Sequence, residues 1–203
     1  MLTRFEEALG FFPKASNHLY ALCDYQTLIK RELSLPDFIK IVKKYDVKII
    51  QYRDKLNLNE IQIKNLNYIK EQLDIPIIIN DKIDLIEFAD GLHLGQEDFE
   101  KIHKNKTLAI KLIRKKIGNK LLGLSTHNEF EILEANELDL DMIGLGAYKG
   151  TQTKDVDSIL GDKISYLAKI SKHPVCAIGG VNIDDKIENI NFNVVGSGLY
   201  GQN

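Results

Sequence analysis

The sequence predicts an α/β protein, a (β/α)₈ barrel of the TIM type, and three observations carry that prediction. Eight short apolar runs alternate with amphipathic stretches, most runs end in polar or glycine residues, and no Pro/Gly/Ser-rich linker divides the 203 residues. With 44% hydrophobic residues the chain can bury one sizeable core, so it reads as a single domain over 1–203, with 1–16 as an N-terminal helical extension. An open doubly wound sheet is the structural alternative, because both architectures bury their strands on two faces.

At the N-terminus Thr3 precedes a stretch, 4–12, in which Phe5, Leu9 and Phe12 fall on one helical stripe and Glu6 completes a capping box. The chain stops at Asn203, six residues after the last apolar run, leaving no room for the helix that should follow an eighth strand. Two roles follow for the N-terminal helix: covering the surface that a C-terminal helix would cover, or plugging the barrel floor.

The candidate strands are 19–23, 47–52, 76–80, 91–95, 121–125, 142–146, 175–179 and 193–197. Helical patterns lie between them, such as 35–45 with Phe38, Ile39 and Val42 on one face, and 58–73 with Ile61, Leu66 and Ile69. Each crossover has the length of one helix. Cys23 and Cys176 lie inside apolar runs with no ligand-spaced His or Cys, so they read as small core hydrophobes.

The second run ends in Gln51, Arg53 and Lys55, two apart and therefore on one side. Arg and Lys there can neutralise phosphate oxygens, and the Gln amide can pair with a heterocycle edge; a solvated strand end is the blander reading. The third run ends in Asn80 and Asp81, and the fourth leads into Gln96, Glu97 and Asp98. Asp81 and Asp98 would reach the same rim of a barrel, and hard carboxylate oxygens in such a pair suit Mg²⁺, although an isolated Asp after a strand is more often a helix cap.

Ser125 closes the fifth run, with His127 just beyond as the one histidine near the rim and a candidate for proton transfer. His93 lies within a strand, where its ring reads as hydrogen-bonded in the wall, and His18, His103 and His173 read as surface or loop residues. After the sixth run, Thr151, Thr153 and Lys154 follow Gly150 in a turn suited to phosphate. Gly179 and Gly180 end the seventh run, and Gly196, Ser197 and Gly198 the eighth, where barrels commonly bind phosphate through backbone amides.

Charge limits the partners. Lys plus Arg number 27 against 29 Asp plus Glu, so a net charge of −2 gives no general attraction to nucleic acid or an anionic membrane, and any anion site must be local. No apolar run approaches a bilayer span, and the N-terminus lacks a signal-peptide core, so a soluble, cytoplasmic protein is expected.

In order and spacing, the strings Gln51-Tyr-Arg-Asp-Lys55, Ile79-Asn-Asp-Lys82, Asp90-Gly-Leu-His-Leu-Gly-Gln-Glu-Asp98, Gly123-Leu-Ser-Thr-His127, Gly144-Leu-Gly146, Thr151-Gln-Thr-Lys154 and Ala177-Ile-Gly-Gly180 resemble the thiamine phosphate synthase family over about residues 17–200. The resemblance implies a Mg²⁺-dependent transferase of thiamine biosynthesis that joins hydroxymethylpyrimidine diphosphate to thiazole phosphate. It implies Asp81 and Asp98 as metal ligands. Gln51, Arg53, Lys55, Asn80, Ser125 and Lys154 would hold the pyrimidine diphosphate, with Arg53, Lys55, Lys154 and Ser125 catalytic. Thr151, Thr153, Gly180, Gly196 and Ser197 would hold the thiazole phosphate.

The partners implied are small molecules, with a homo-oligomer left open. Three departures flank the thiazole half: the absent terminal helix, Tyr148-Lys149-Gly150 in place of a proline-containing loop, and Gly196 where a larger apolar residue is usual. The sister group resembling the thiazole tautomerase TenI, with His127 as its acid/base, is the alternative. A non-catalytic protein that binds thiamine precursors is another.

Overall fold

As a computed structural model, the protein is described over residues 2–150 and 159–201. Its strands are β1 (His18–Asp24), β2 (Val47–Arg53), β3 (Ile77–Asn80), β4 (Gly91–Leu94), β5 (Leu121–Thr126), β6 (Met142–Leu145), β7 (Val175–Ala177) and β8 (Phe192–Val195). All pair in parallel with their sequence neighbours, and β8 pairs with β1, so the sheet closes into a barrel. Each expected strand is present with its ends within two residues of the sequence reading.

The period-two alternation of a strand sorts the core into two layers. Tyr20, Leu22, Ile49, Ile78, Leu121, Met142, Cys176, Phe192 and Val194 form one cluster, inside the ring. Their neighbours Ala21, Cys23, Ile50, Tyr52, Ile79, Leu122 and Ile143 point outward and join the larger layer beneath the helices. Both cysteines are buried and free, as expected.

The helices are α1 (Arg4–Leu9), α2 (Tyr25–Lys30), α3 (Leu35–Lys44), α4 (Asn59–Gln72), α5 (Gln96–Ile102), α6 (Lys106–Ile117), α7 (Glu129–Ala135) and α8 (Lys163–Ile170). In α3 the Ser34–Asp37 capping box starts the helix, and Phe38, Ile39 and Val42 are buried as the spacing requires. In α4 Leu66 and Ile69 are buried but Ile61 is exposed.

The expectation of one helix per crossover is corrected. The β1–β2 and β4–β5 connections each hold two helices, while β3–β4, too short for an α-helix, holds a 3₁₀ turn at Ile83–Phe88. Between β7 and β8 there is no helix among the described residues; Val181, Ile187 and Ile190 cover the sheet from irregular backbone. Burial of apolar area, rather than helix formation, is what the outer layer requires. After β8 comes a 3₁₀ turn, Ser197–Tyr200, with Leu199 buried.

The two roles considered for the N-terminal helix are also resolved. The Thr3–Glu6 capping box forms, but Gly10, at φ 84°, ends α1 after Leu9, so Phe12 lies outside the helix. Phe5 is buried and meets Phe192 edge-on at 5.7 Å, and Phe12 meets Phe192 at 5.2 Å, so the segment packs on the inner cluster as a floor plug. It does not replace an outer helix. Arg4 adds an ion pair to the buried Asp141 at 2.8 Å, and Arg114 pairs with the other oxygen of that carboxylate at 2.6 Å. His18, expected at the surface, is half-buried with its ring 4.5 Å from that of Phe12. No helix among the described residues is long and apolar enough to cross a membrane.

Candidate active site

Strand closure gathers the polar strand ends around a cavity of about 660 Å³ at the C-terminal rim. Gln51, Arg53, Lys55, Asn80, Asp81, Asp98, Ser125, Gly180, Gly196 and Ser197 all line it. Thr151, Thr153 and Lys154 lie outside the described residues. Every other residue expected at the site therefore faces one space.

The inward positions change character along the strands. Ile49, Gln51 and Arg53 on β2 run from the apolar floor to the charged rim, as do Ile78 and Asn80 on β3, and Leu121, Gly123 and Ser125 on β5. Gln51, itself buried, donates through Nε2 to Asn80 Oδ1 at 3.0 Å, and Asn80 Nδ2 donates to Asp81 Oδ2 at 2.6 Å. Beyond β2, the buried Asp54 accepts from the backbone N–H groups of Leu56 and Asn57, shaping the loop that carries Lys55.

Asp81 is not a helix cap. It sits at φ 62°, its N–H donates to the His93 carbonyl, and the 3₁₀ turn after it, Ile83–Phe88, has Lys82 at its N-cap and no side-chain cap bond. Burial, followed by the like charge of Asp98, pushes its carboxyl above the ordinary Asp range, against the pull of Lys55 and Arg53. Asp98 lies in the first turn of α5, capped by Gly95, and bonds Lys101 at 2.7 Å. Four carboxylates (Asp81, Glu97, Asp98 and Glu131) line the cavity against the two cations Arg53 and Lys55 among the described residues. An anionic ligand entering there needs an added positive charge, and two hard carboxylates with open space suit a divalent cation that keeps water and phosphate ligands.

Two participants, Asp24 and Glu131, were missed in the sequence. Asp24, 3% exposed, is ion-paired with Arg53, although its place at the end of the first apolar run matches that of the other rim acids. Gln96 Nε2 donates to the Ser125 carbonyl at 2.7 Å and its Oε1 accepts from Lys106. His127 lines the cavity with Nδ1 2.9 Å from Glu131 Oε2, a pair that the i, i+4 spacing could have suggested. His93 is in the wall as expected, with Nε2 3.0 Å from Ser125 Oγ, and burial depresses its imidazole to about 4.

On the opposite side, Gly179 and Gly180 have φ of 87° and 63°. A Cβ on Gly180 would stand 2.6 Å from the Gly150 carbonyl oxygen, so this pair must be glycine because the Tyr148–Lys149 strap packs on it. The strap is held by Tyr148 N–H to the Ile178 carbonyl and Lys149 N–H to the Gly179 carbonyl, while Lys149 Nζ bonds both oxygens of Asp185. The small Gly196 faces Leu22, whose Cδ2 would lie 3.4 Å from an added Cβ.

The chain is similar in sequence and fold to known proteins. A thiamine-phosphate synthase from Persephonella marina is 37% identical over 141 residues, 66% of this chain and 63% of the relative, so the match spans a little under two thirds of that protein. One from Lawsonia intracellularis is 34% identical over 182 residues, covering 84% of this chain and 78% of the relative. The solved structure of a thiamine phosphate pyrophosphorylase from Pyrococcus furiosus shares the fold at a TM-score of 0.69 and 22% identity, covering 93% of this chain and 89% of that one. A family model described as thiamine monophosphate synthase matches residues 19–198, and with nearly the whole barrel inside that match the chain belongs to the thiamine monophosphate synthase family.

Proposed function

We propose that this protein is a cytoplasmic thiamine phosphate synthase, a transferase that joins hydroxymethylpyrimidine diphosphate to thiazole phosphate with release of diphosphate. The observation that carries the reading is the pair Asp81 and Asp98 lining one cavity with Arg53, Lys55, Asn80 and Ser125. Asp81 and Asp98 would hold Mg²⁺, which when bound supplies positive charge to the leaving diphosphate.

Arg53 and Lys55, joined by Lys154, take up the charge that grows on the diphosphate as the methylene C–O bond breaks. Gln51, Asn80 and Ser125 orient the pyrimidine diphosphate. The electron-rich aminopyrimidine carries the methylene cation until the thiazole nitrogen attacks, so no protein nucleophile is needed and positioning supplies much of the rate. Thr151, Thr153, Gly180, Gly196 and Ser197 hold the thiazole phosphate beside it. The test is diphosphate release from the two substrates with Mg²⁺ and with excess chelator; no release with Mg²⁺ rejects the synthase, and equal release in chelator rejects the metal.

A second reading, a TenI-like thiazole tautomerase, draws on His127, whose Nδ1 is oriented by Glu131 as a proton-transfer group requires. Isomerisation of the thiazole by the wild type, lost in His127→Ala, would favour it over the synthase.

A further inference from the structure

The His93 ring occupies a slot made by missing side chains. It is turned into the barrel from β4, where its residue pairs with Gly123 of β5. A Cβ at Gly123 would lie 2.5 Å from His93 Nδ1, and one at Gly144 of β6 3.1 Å from Cε1. Two glycines on adjacent strands therefore make room for the imidazole and leave it little freedom to turn. Its Nε2 lies 3.0 Å from Ser125 Oγ, while Nδ1 is buried without a hydrogen-bond partner among the described residues.

Those contacts choose the tautomer. A buried imidazole with no carboxylate against it is neutral and carries one N–H. With the proton on Nδ1, that N–H would be orphaned in the wall; with the proton on Nε2, the N–H is used on Ser125 Oγ and only a lone pair is left over. Orphaned buried N–H groups are the rarer and costlier defect. Once its oxygen accepts from His93, the Ser125 hydroxyl has its own proton to give.

We propose that His93 is a positioning residue which, by donating Nε2–H to Oγ, holds Ser125 as a hydrogen-bond donor to an acceptor atom of the ligand in the cavity. On the proposed function that acceptor is a diphosphate oxygen or a pyrimidine ring nitrogen. Ser125 is then no nucleophile, because His93 lacks the third group that would prepare it as a base. Gln96, donating to the Ser125 carbonyl at 2.7 Å, fixes the same residue from the backbone side.

The tautomer is read directly from long-range proton–nitrogen NMR correlations of the ¹⁵N-labelled wild-type protein without substrate. A protonated Nε2 with an unprotonated Nδ1 is expected; the reverse overturns the proposal. With hydroxymethylpyrimidine diphosphate as the varied substrate, His93→Leu should lower kcat/KM roughly tenfold, the size of one hydrogen bond to a charged acceptor. His93→Gln, which keeps an amide donor, should recover much of that loss, and His93→Leu should cost nothing further in a Ser125→Ala background. Fully additive losses would overturn the coupling. Absence of diphosphate release by the wild type counts against the synthase reading instead, and the NMR result still decides this one.

Discussion

One carboxylate oxygen of the buried Asp24 is ion-paired with the Arg53 guanidinium, while the other accepts from the Thr27 N–H at 3.0 Å and caps α2. A single side chain thus anchors a helix and fixes the direction of a cation at the cavity. Asp24→Asn keeps the cap but leaves Arg53, 17% exposed, without its counter-charge. We expect urea denaturation to show a loss of about 3 kcal/mol, with a raised KM for the pyrimidine diphosphate. Asp24→Ala should lose about 1 kcal/mol more, the usual value of a helix cap. Equal stability of wild type and Asn variant would show that the pair contributes nothing.

Asp81 exchanges stability for function. Its raised pKa means that the folded state prefers the proton, so ionisation costs stability; the cost is absent below the usual carboxylate range and complete above the raised value. Asp81→Asn mimics the protonated form, and Asn tolerates the φ of 62° better than Ala. The variant should melt higher than wild type at neutral pH without Mg²⁺ and release no diphosphate. Near pH 3 the difference in melting temperature should vanish; a variant that melts lower at pH 7 contradicts the electrostatic account.

Gly180 and Gly10 separate crowding from backbone strain. Both have positive φ, but an added Cβ at Gly180 meets the Gly150 carbonyl at 2.6 Å, whereas at Gly10 nothing lies within 4 Å. Gly10→Ala should cost about 1 kcal/mol from strain alone. Gly180→Ala should cost roughly 2–3 kcal/mol and raise KM for the thiazole phosphate while leaving KM for the pyrimidine diphosphate unchanged. Equal costs in thermal melts would mean that the Tyr148–Lys149 strap yields freely.

The floor plug bears on stability and not on chemistry. Phe5→Ala removes a buried ring stacked edge-on against Phe192 and should destabilise by about 3 kcal/mol, with turnover unchanged where the variant is fully folded. Deleting residues 1–13 should lower the melting temperature further. Unchanged melts in both would show that the inner cluster needs no cover.

Much of the site was legible because local chain geometry carries it. Residues two apart on a strand share a face, so Ile49, Gln51 and Arg53 had to point the same way wherever the strand was placed. Asp24 escaped notice for the opposite reason. Its partner is 29 positions away, and an Asp after a strand looks the same whether it caps a helix or balances a charge. His93 and Ser125 were each visible, but their bond depends on Gly123 and Gly144, whose purpose emerges only when three strands lie side by side.

The sequence by itself determined the eight strands, their order and the polar character of their ends, since periodicity and turn chemistry act over a few residues. Only the tertiary structure decided that α1 fills the floor, that two short helices or none can serve as a crossover, and that Asp81 faces Asp98 closely enough to feel its charge. Those outcomes follow from closing the ring, where register and packing between distant segments select among conformations that local propensity leaves nearly equal in energy.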